Sequence, residues 1–475
     1  MSDPASALLT DRIARRVAEH PRTPAILAGT DDVDYATFWH RVIRVAAGLG
    51  DMRRIAVLPT SDIDSLVAVT AAMHAGVGVI LLHRHLLAHQ LTRVLDLAQP
   101  GAVVAAARQH RRLRGLGFTG VIHTATDLES DATPRTSAGE DAELLVGITS
   151  GTTGEPKLFV RGQMSWARTL DRSDMVFDIG HSDRVSVPGV LDHTHFLYGA
   201  LHGLTRGATV DLRSVTHALT EGATHLYSVP TIAWDVVRSG IGPLDQVREV
   251  LSSAARWPRT GRVALRSVLP NASLVHFYGA SELSFVSFDR GIGEADEKSA
   301  GELFDGVEAR IADGLVHIRS DMLFDGYLTE AGLRDGPVEG WMSVGDRGEV
   351  RAGRLRLFGR DSELLIRAGL NVVPAEIEAA LLAIPGIIEA ACVAIPDARM
   401  GEAPAAAVVL DENPPGGTEV WRRLRAALPS PSMPVRVATM ASLPRTPRGK
   451  LDRPALSATL AAGRGTGFLD ESAPE

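Results

Sequence analysis

Residues 148–159 read ITSGTTGEPKLF. Gly151 and Gly154 allow the backbone to wrap closely around phosphate oxygens with its N–H groups, and the hydroxyls of Thr149, Ser150, Thr152 and Thr153 add polar contacts. The stretch carries Lys157, in a chain with three lysines, Lys157, Lys298 and Lys450, against 46 arginines. Such a composition uses arginine wherever a generic positive charge suffices. Lys157 and Lys450 are therefore candidate places where it does not: lysine is a compact point charge on a flexible stem, arginine a planar fork. The chemistry indicated is polyphosphate binding. A Walker A loop is disfavoured, because it needs four residues between its glycines and a helix after the lysine, whereas here the spacing is G-x-x-G-x-x-K and KLFV leads into a strand. Alone, the loop also fits an exposed Ser/Thr/Gly turn. Four further stretches follow it in order: HFYGASELSF (276–285), GWMSVGDRGEV (340–350), GRDSELLIRAGLNVVPAEIE (359–378) and LPRTPRGKLDR (443–453).

The elements that must position these stretches are readable from periodicity. From residue 34, helical patterns alternate with short apolar runs (YATFWHRVIRVAAGL, RIAVLP, LLAHQLTRVLDLA, GAVVAAA), which predicts βαβ units and a mostly parallel sheet. Residues 65–82, SLVAVTAAMHAGVGVILL, imitate a membrane span but contain Ser65, Thr70 and His74 and split at Gly76 into a helix and a β-branched strand. Beyond residue 300 the pattern turns to hairpins, with Ala352-Gly353 between two alternating strands. VPAEIEAALLAI offers Pro374 at a helix start, and the strands and helix after it predict a small α+β unit. The Gly-rich, acidic tail from about residue 462 is expected to be disordered.

At 475 residues with 45% apolar and 22% charged residues and a net charge of -8, the chain is long enough for two or three units and has no basic face for nucleic acid. The single cysteine, Cys392, lies in the apolar run EAACVAIP and reads as a buried strand position; a lone cysteine fits a reducing, cytoplasmic compartment. His85 and His89, four apart on an expected helix with His83 just before, invite a metal reading, but no matching cysteine or carboxylate completes such a site and a solvated helix start is expected instead.

In their order and spacing the five stretches resemble the adenylate-forming family of acyl-CoA synthetases, peptide-synthetase adenylation domains and luciferase, from about residue 20 to residue 455. The resemblance implies an α/β N-terminal domain, residues 1–361, with mostly parallel sheets flanked by helices, and a small mobile α+β C-terminal domain, residues 362–475. It implies ATP, Mg²⁺ and a small carboxylic acid as reactants, an acyl-adenylate and pyrophosphate as first products, and CoA as the default acceptor. A carrier-protein thiol or a nitrogen nucleophile is the alternative acceptor, and a nucleotide-binding protein without turnover the alternative class. Residue by residue, Thr149, Ser150, Gly151, Thr152, Thr153, Gly154 and Lys157 match the loop around the β- and γ-phosphates, with Thr152 also counted as catalytic. Tyr278, Gly279, Ala280 and Ser281 match the adenylate-binding strand end, and Glu282 the Mg²⁺ ligand. Asp346 matches the acid that holds the ribose hydroxyls, Arg360 a second ribose or phosphate contact, and Lys450 the ammonium between carboxylate and α-phosphate. His193, Ser228, Phe277 and Gly279 fall where the acyl pocket is expected, Gly369 where the pantetheine thiol passes. Ser362 stands at the hinge, where Asp or Lys is more usual. Asp192 lies off the register of the acid that binds substrate amines in amino-acid-activating relatives, so a plain carboxylic acid is favoured.

Overall fold

The computed structural model describes residues 7–133, 138–150, 156–255, 257, 259–292, 298–360, 365–367, 370–397, 401–446, 451–464 and 467–469. Helices and three sheets, of 14, 8 and 6 strands, make up these residues. In the eight-stranded sheet, Ile122–His123, Ala102–Ala105, Arg54–Leu58, Gly78–Leu81 and Glu143–Ser150 run parallel. Helices such as Ile63–His74 and Ala88–Ala98 connect them. All positions of Arg54–Leu58, Gly78–Leu81 and Ala102–Ala105 are buried, as expected of strands covered on both faces. The apolar run 65–82 divides as its sequence predicts: Gly76 has φ +67° and ends the helix ahead of the strand. No described helix is long and apolar enough to cross a membrane.

The 14-stranded sheet has a parallel half, in which Pro24–Ala28, Thr209–Asp211, Arg184–Ser186, His225–Ser228, Glu249–Ser252 and Ser273–Ala280 pair in that order. Antiparallel strands extend it from Ser284–Arg290 through Ser299–Leu303 to the hairpin Asp346–Arg351/Arg354–Arg360. Ala352 and Gly353 turn that hairpin at φ +51° and +75°, the left-handed pair that a two-residue turn requires. One apolar core runs between the two large sheets.

The six-stranded sheet begins at Leu365 and carries the helices Pro374–Leu382, Gly417–Ala427 and Arg453–Ala461 with its own apolar clusters. Cys392 is wholly buried there, and burial raises its thiol pKa far above the ordinary range, which makes it an inert core residue. Residues 467–469, the described part of the tail's end, depart from the expected disorder. Gly467–Phe468 pairs with Val437–Thr439, and the indole N–H of Trp421 donates to the Leu469 carbonyl at 2.7 Å. Composition predicted disorder there, but an open strand edge can order a Gly-rich segment through backbone bonds alone.

The N-terminal helix Leu9–Glu19 is fastened by charge. Arg12, 2% exposed, reaches Asp171 at 2.5 Å and Asp174 at 3.4 Å, and Asp174 also meets His202 at 2.9 Å and Arg206 at 3.1 Å. Burial alone would raise the Asp174 pKa; His202, Arg206 and Arg12 outweigh it and hold the carboxyl below its ordinary value. A carboxylate with a depressed folded-state pKa stabilises the fold above its unfolded pKa and loses that contribution as pH falls through the folded one. Thermal melting should therefore show a midpoint that drops on acidification below about pH 4. Asp174→Asn should melt lower at neutral pH but with a shallower acid slope, and equal slopes would remove Asp174 from the account.

Candidate active site

Strands Glu143–Ser150 and Pro156–Gly162 form a hairpin, with Thr149 opposite Lys157 and Ser150 opposite Pro156. These are the two strands expected to flank the first motif. Strand Ser273–Ala280 turns into Ser284–Arg290 with a register shift between Tyr278 and Gly279. Glycine is required at 279, since a Cβ there would lie 2.0 Å from the Ser284 carbonyl oxygen. Such a bulge re-aims the side chains at a strand end.

The two hairpins and the strand Asp346–Arg351 meet at one cavity of about 630 Å³, within the size range of small-molecule sites. The Tyr278 hydroxyl donates to Asp346 Oδ2, joining two motifs far apart in sequence. The Tyr327 hydroxyl donates to Glu282 Oε1 at 2.7 Å, and the Lys157 ammonium stands 5.1 Å from the centre of the same Tyr327 ring. Glu282 Oε2 makes no hydrogen bond among the described residues. A lone hard carboxylate oxygen beside a phosphate-sized space suits Mg²⁺, which takes one or two carboxylates and completes its shell with water and phosphate.

Of the sequence-predicted residues, Thr149, Lys157, Tyr278, Gly279, Ala280, Ser281, Glu282 and Asp346 border this cavity. His193 and Phe277 border it too. Ser150 and Arg360 end their strands beside it, with side chains outside the described residues. Gly151, Thr152, Thr153, Gly154, Ser362, Gly369 and Lys450 also lie outside the described residues.

Ser228 is a correction. It is fully buried at the end of its strand, its hydroxyl bonds the Val229 carbonyl, and it does not border the cavity. Its carbonyl instead accepts from His195 Nε2 at 2.8 Å, and it is His195 that faces the acyl side. Burial, only partly opposed by that bond, pulls the His195 pKa to about 4, so the ring is neutral near pH 7.

His85 and His89, read from the sequence as a solvated helix start, are both exposed. His85 precedes the helix Ala88–Ala98 that carries His89, while His83 is buried and meets Asp192 and His193, with the candidate ligand atoms of these three within 4.8 Å of one another. A carboxylate distant in sequence thus joins His83 and His193, a grouping separate from the His85 and His89 pair. Asp192 Oδ2 accepts from the Arg84 backbone N–H at 3.0 Å and lies 3.7 Å from the Arg84 guanidinium. The Arg84 guanidinium is thus a protein cation close to this carboxylate.

Tyr327, Lys298 and Ser284 are among the cavity residues that sequence reasoning did not name as site residues. Tyr327 carried no signal beyond a Gly-Tyr pair. Lys298 borders the cavity and ion-pairs with Glu376 of the C-terminal helix Pro374–Leu382 at 3.0 Å. Its rarity as a residue type was the same signal that singled out Lys157 and Lys450. Ser284 has φ +61°, a left-handed conformation that costs a non-glycine residue roughly 1–2 kcal/mol, and its hydroxyl meets Thr169 Oγ1 at 2.7 Å.

A family model described as AMP-binding enzyme matches residues 13–328, and one described as AMP-binding enzyme C-terminal domain matches residues 376–450. YhfT of Bacillus subtilis (strain 168), described as an uncharacterized acyl-CoA ligase, is 31% identical over 348 residues, covering 68% of this chain and 70% of its own length. The matched stretch spans 53% of the length of VraA of Staphylococcus epidermidis and 88% of that of FadD13 of Mycobacterium tuberculosis. The fold superposes on ATP-bound MatB from Rhodopseudomonas palustris with a TM-score of 0.84 at 24% identity, covering 96% of this chain and 99% of that one. It superposes on the amide bond synthetase McbA from Marinactinospora thermotolerans with a TM-score of 0.83 at 23% identity, covering 95% and 99%.

Proposed function

The chain belongs to the AMP-binding enzyme family, and from that premise we propose that it activates a carboxylic acid with ATP and passes the acyl group to the thiol of CoA. The observation that carries this reading is the convergence of Lys157, Glu282, Tyr278 and Asp346 on the cavity that also holds His193 and Phe277. Joining a carboxylate to the α-phosphate brings two anions together, so the site must offset charge on the reacting oxygens and on the departing pyrophosphate.

In this scheme Asp346, held by the Tyr278 hydroxyl, accepts from the ribose hydroxyls. Lys157, carried over Tyr327, faces the outer phosphates. Lys450 brings its ammonium to the carboxylate and α-phosphate oxygens. Glu282, its Oε1 held by Tyr327, would hold Mg²⁺ through its other oxygen. The ion, when bound, neutralises phosphate charge. The carboxylate oxygen attacks phosphorus, the bond to the bridging oxygen breaks, and pyrophosphate leaves with that electron pair. The thiolate sulfur then attacks the acyl carbon and AMP departs.

We assign residues 1–361 to the ATP- and acid-binding domain and residues 362–475 to a domain that reorients about Ser362 between the two steps. A buried free Cys392 fits a reducing, cytoplasmic setting.

Pyrophosphate release with a panel of acids, with and without CoA, tests the reading. Acid-dependent release with CoA-dependent thioester formation is the expected result. Release without CoA use would move the acceptor to a carrier thiol or a nitrogen nucleophile, and nucleotide binding without release would leave a protein without turnover.

A further inference from the structure

Strand Pro156–Gly162 carries an arginine, Arg161, directly after the buried Leu158, Phe159 and Val160. Arg161 is 6% exposed and borders the cavity. Its Nε donates to Ser165 Oγ at 3.1 Å, and its Nη2 to the Ser165 carbonyl at 3.2 Å, Thr169 Oγ1 at 3.1 Å and the Met322 carbonyl at 2.8 Å. Its guanidinium carbon lies 6.0 Å from the centre of the Trp166 ring. Every one of these partners is neutral, and Nη1 makes no hydrogen bond among the described residues.

No carboxylate of a described residue comes within 4.0 Å of this guanidinium, whereas the other deeply buried arginines, Arg12, Arg54 and Arg262, each have one. Burial pulls the Arg161 pKa down to about 10, with Tyr198 and Asp325 only partly opposing it. A buried cation without an anion is the arrangement that proteins avoid, because the charge has lost water and gained no counter-charge. Thr169, which accepts from Arg161, is itself bonded to Ser284, the residue held in a left-handed conformation. Trp166, Tyr198 and Phe285 border the same cavity, which also reaches His193 and Phe277 on the acyl side. The result is an aromatic-walled chamber with, at one wall, a cation that no described carboxylate approaches within 4.0 Å.

We propose that Arg161 is the receptor for a second carboxylate at the far end of the substrate, so that the acid activated here is a short dicarboxylic acid. The proposal rests on the acyl-adenylating reading of the same cavity and names its substrate class. A guanidinium matches a carboxylate in shape and in donor geometry, which favours that anion over a bulkier one. The chain between the two carboxylates is short because the cavity of about 630 Å³ must also admit the adenylate. An acid lacking the distal charge would leave the buried guanidinium uncompensated, and sites built around a polar partner discriminate strongly against analogues that lack it.

The test is pyrophosphate release with straight-chain dicarboxylic acids, their half-amides and monocarboxylic acids of matched length. For wild-type protein kcat/KM should favour the dicarboxylic acid over its half-amide by ~10²-fold or more. Arg161→Met should reverse the preference toward the monocarboxylic acid, and Arg161→Lys should retain part of it. A wild-type ratio near one, or a ratio unchanged in Arg161→Met, would overturn the proposal. Thermal-shift titration of wild-type protein with a dicarboxylic acid and its half-amide reads binding alone. A rise in Tm confined to the dicarboxylic acid supports the receptor even if no acid releases pyrophosphate, in which case only the adenylating reading falls. Equal shifts with both overturn the receptor whatever the turnover.

Discussion

Lys450→Ala is expected to lower acid-dependent pyrophosphate release by roughly 10³-fold or more, a loss of the size seen when a cation that stabilises a phosphoryl-transfer transition state is removed. Thioester formation from acyl-adenylate prepared in advance should stay within a few-fold of wild type. The asymmetry follows from where charge develops. In the first step a carboxylate approaches a phosphate, and an ammonium reaching both sets of oxygens lowers the barrier at the moment their charges are brought together. In the proposed second step a thiolate attacks an acyl carbon and AMP departs, with the small domain proposed to present another face and Gly369 proposed to line the thiol's path. Lys450 lies outside the described residues, but Arg445 and Leu451 on either side of it are bridged, and Asp452 caps the following helix by accepting from the Ala455 N–H at 3.0 Å. The segment is thus anchored on both flanks. Equal losses in the two assays would refute the two-orientation scheme.

The second large effect concerns Glu282. Glu282→Gln preserves shape and an oxygen able to accept from the Tyr327 hydroxyl, which bonds Glu282 at 2.7 Å in the native protein. It removes the negative charge that would hold Mg²⁺. Because packing and positioning are retained, the melting temperature should change little while kcat/KM for MgATP falls by roughly 10²–10³-fold, the range found when one preorganised electrostatic partner is lost. Magnesium titration supplies the diagnostic: half-maximal activity should move to higher Mg²⁺ in the variant. A loss under about threefold with an unshifted titration would leave Glu282 outside the metal site. Tyr327→Phe keeps the carboxylate and loses only its anchor, and its effect should be the smaller of the two.

Much of the architecture was legible because it depends on local rules. Gly76 separates a helix from a strand, Ala352-Gly353 turns a hairpin, and Pro374 opens a helix, each through backbone preferences that act over a few residues. Within the tail, residues 467–469 differ from the expected disorder because composition reports whether a segment can build a core of its own, whereas these residues pair with an existing edge strand. In the site, the motif residues could be named because their order along the chain resembles a known family. Ser228 does not reach the cavity because its side chain is wholly buried with its hydroxyl on the Val229 carbonyl, and only its carbonyl is engaged, by His195.

The sequence by itself determined the succession of helices and strands, the hairpin loops, and the set of residue types able to bind a polyphosphate, since these follow from periodicity, turn chemistry and side-chain functional groups. Only the tertiary structure decided that Tyr327 holds Glu282, that Asp192 closes on His83 and that Arg161 stands buried without a carboxylate beside it. The strength of a charge or a hydrogen bond depends on how far water is excluded and on which distant segment supplies the partner, and neither quantity exists until the sheets have packed.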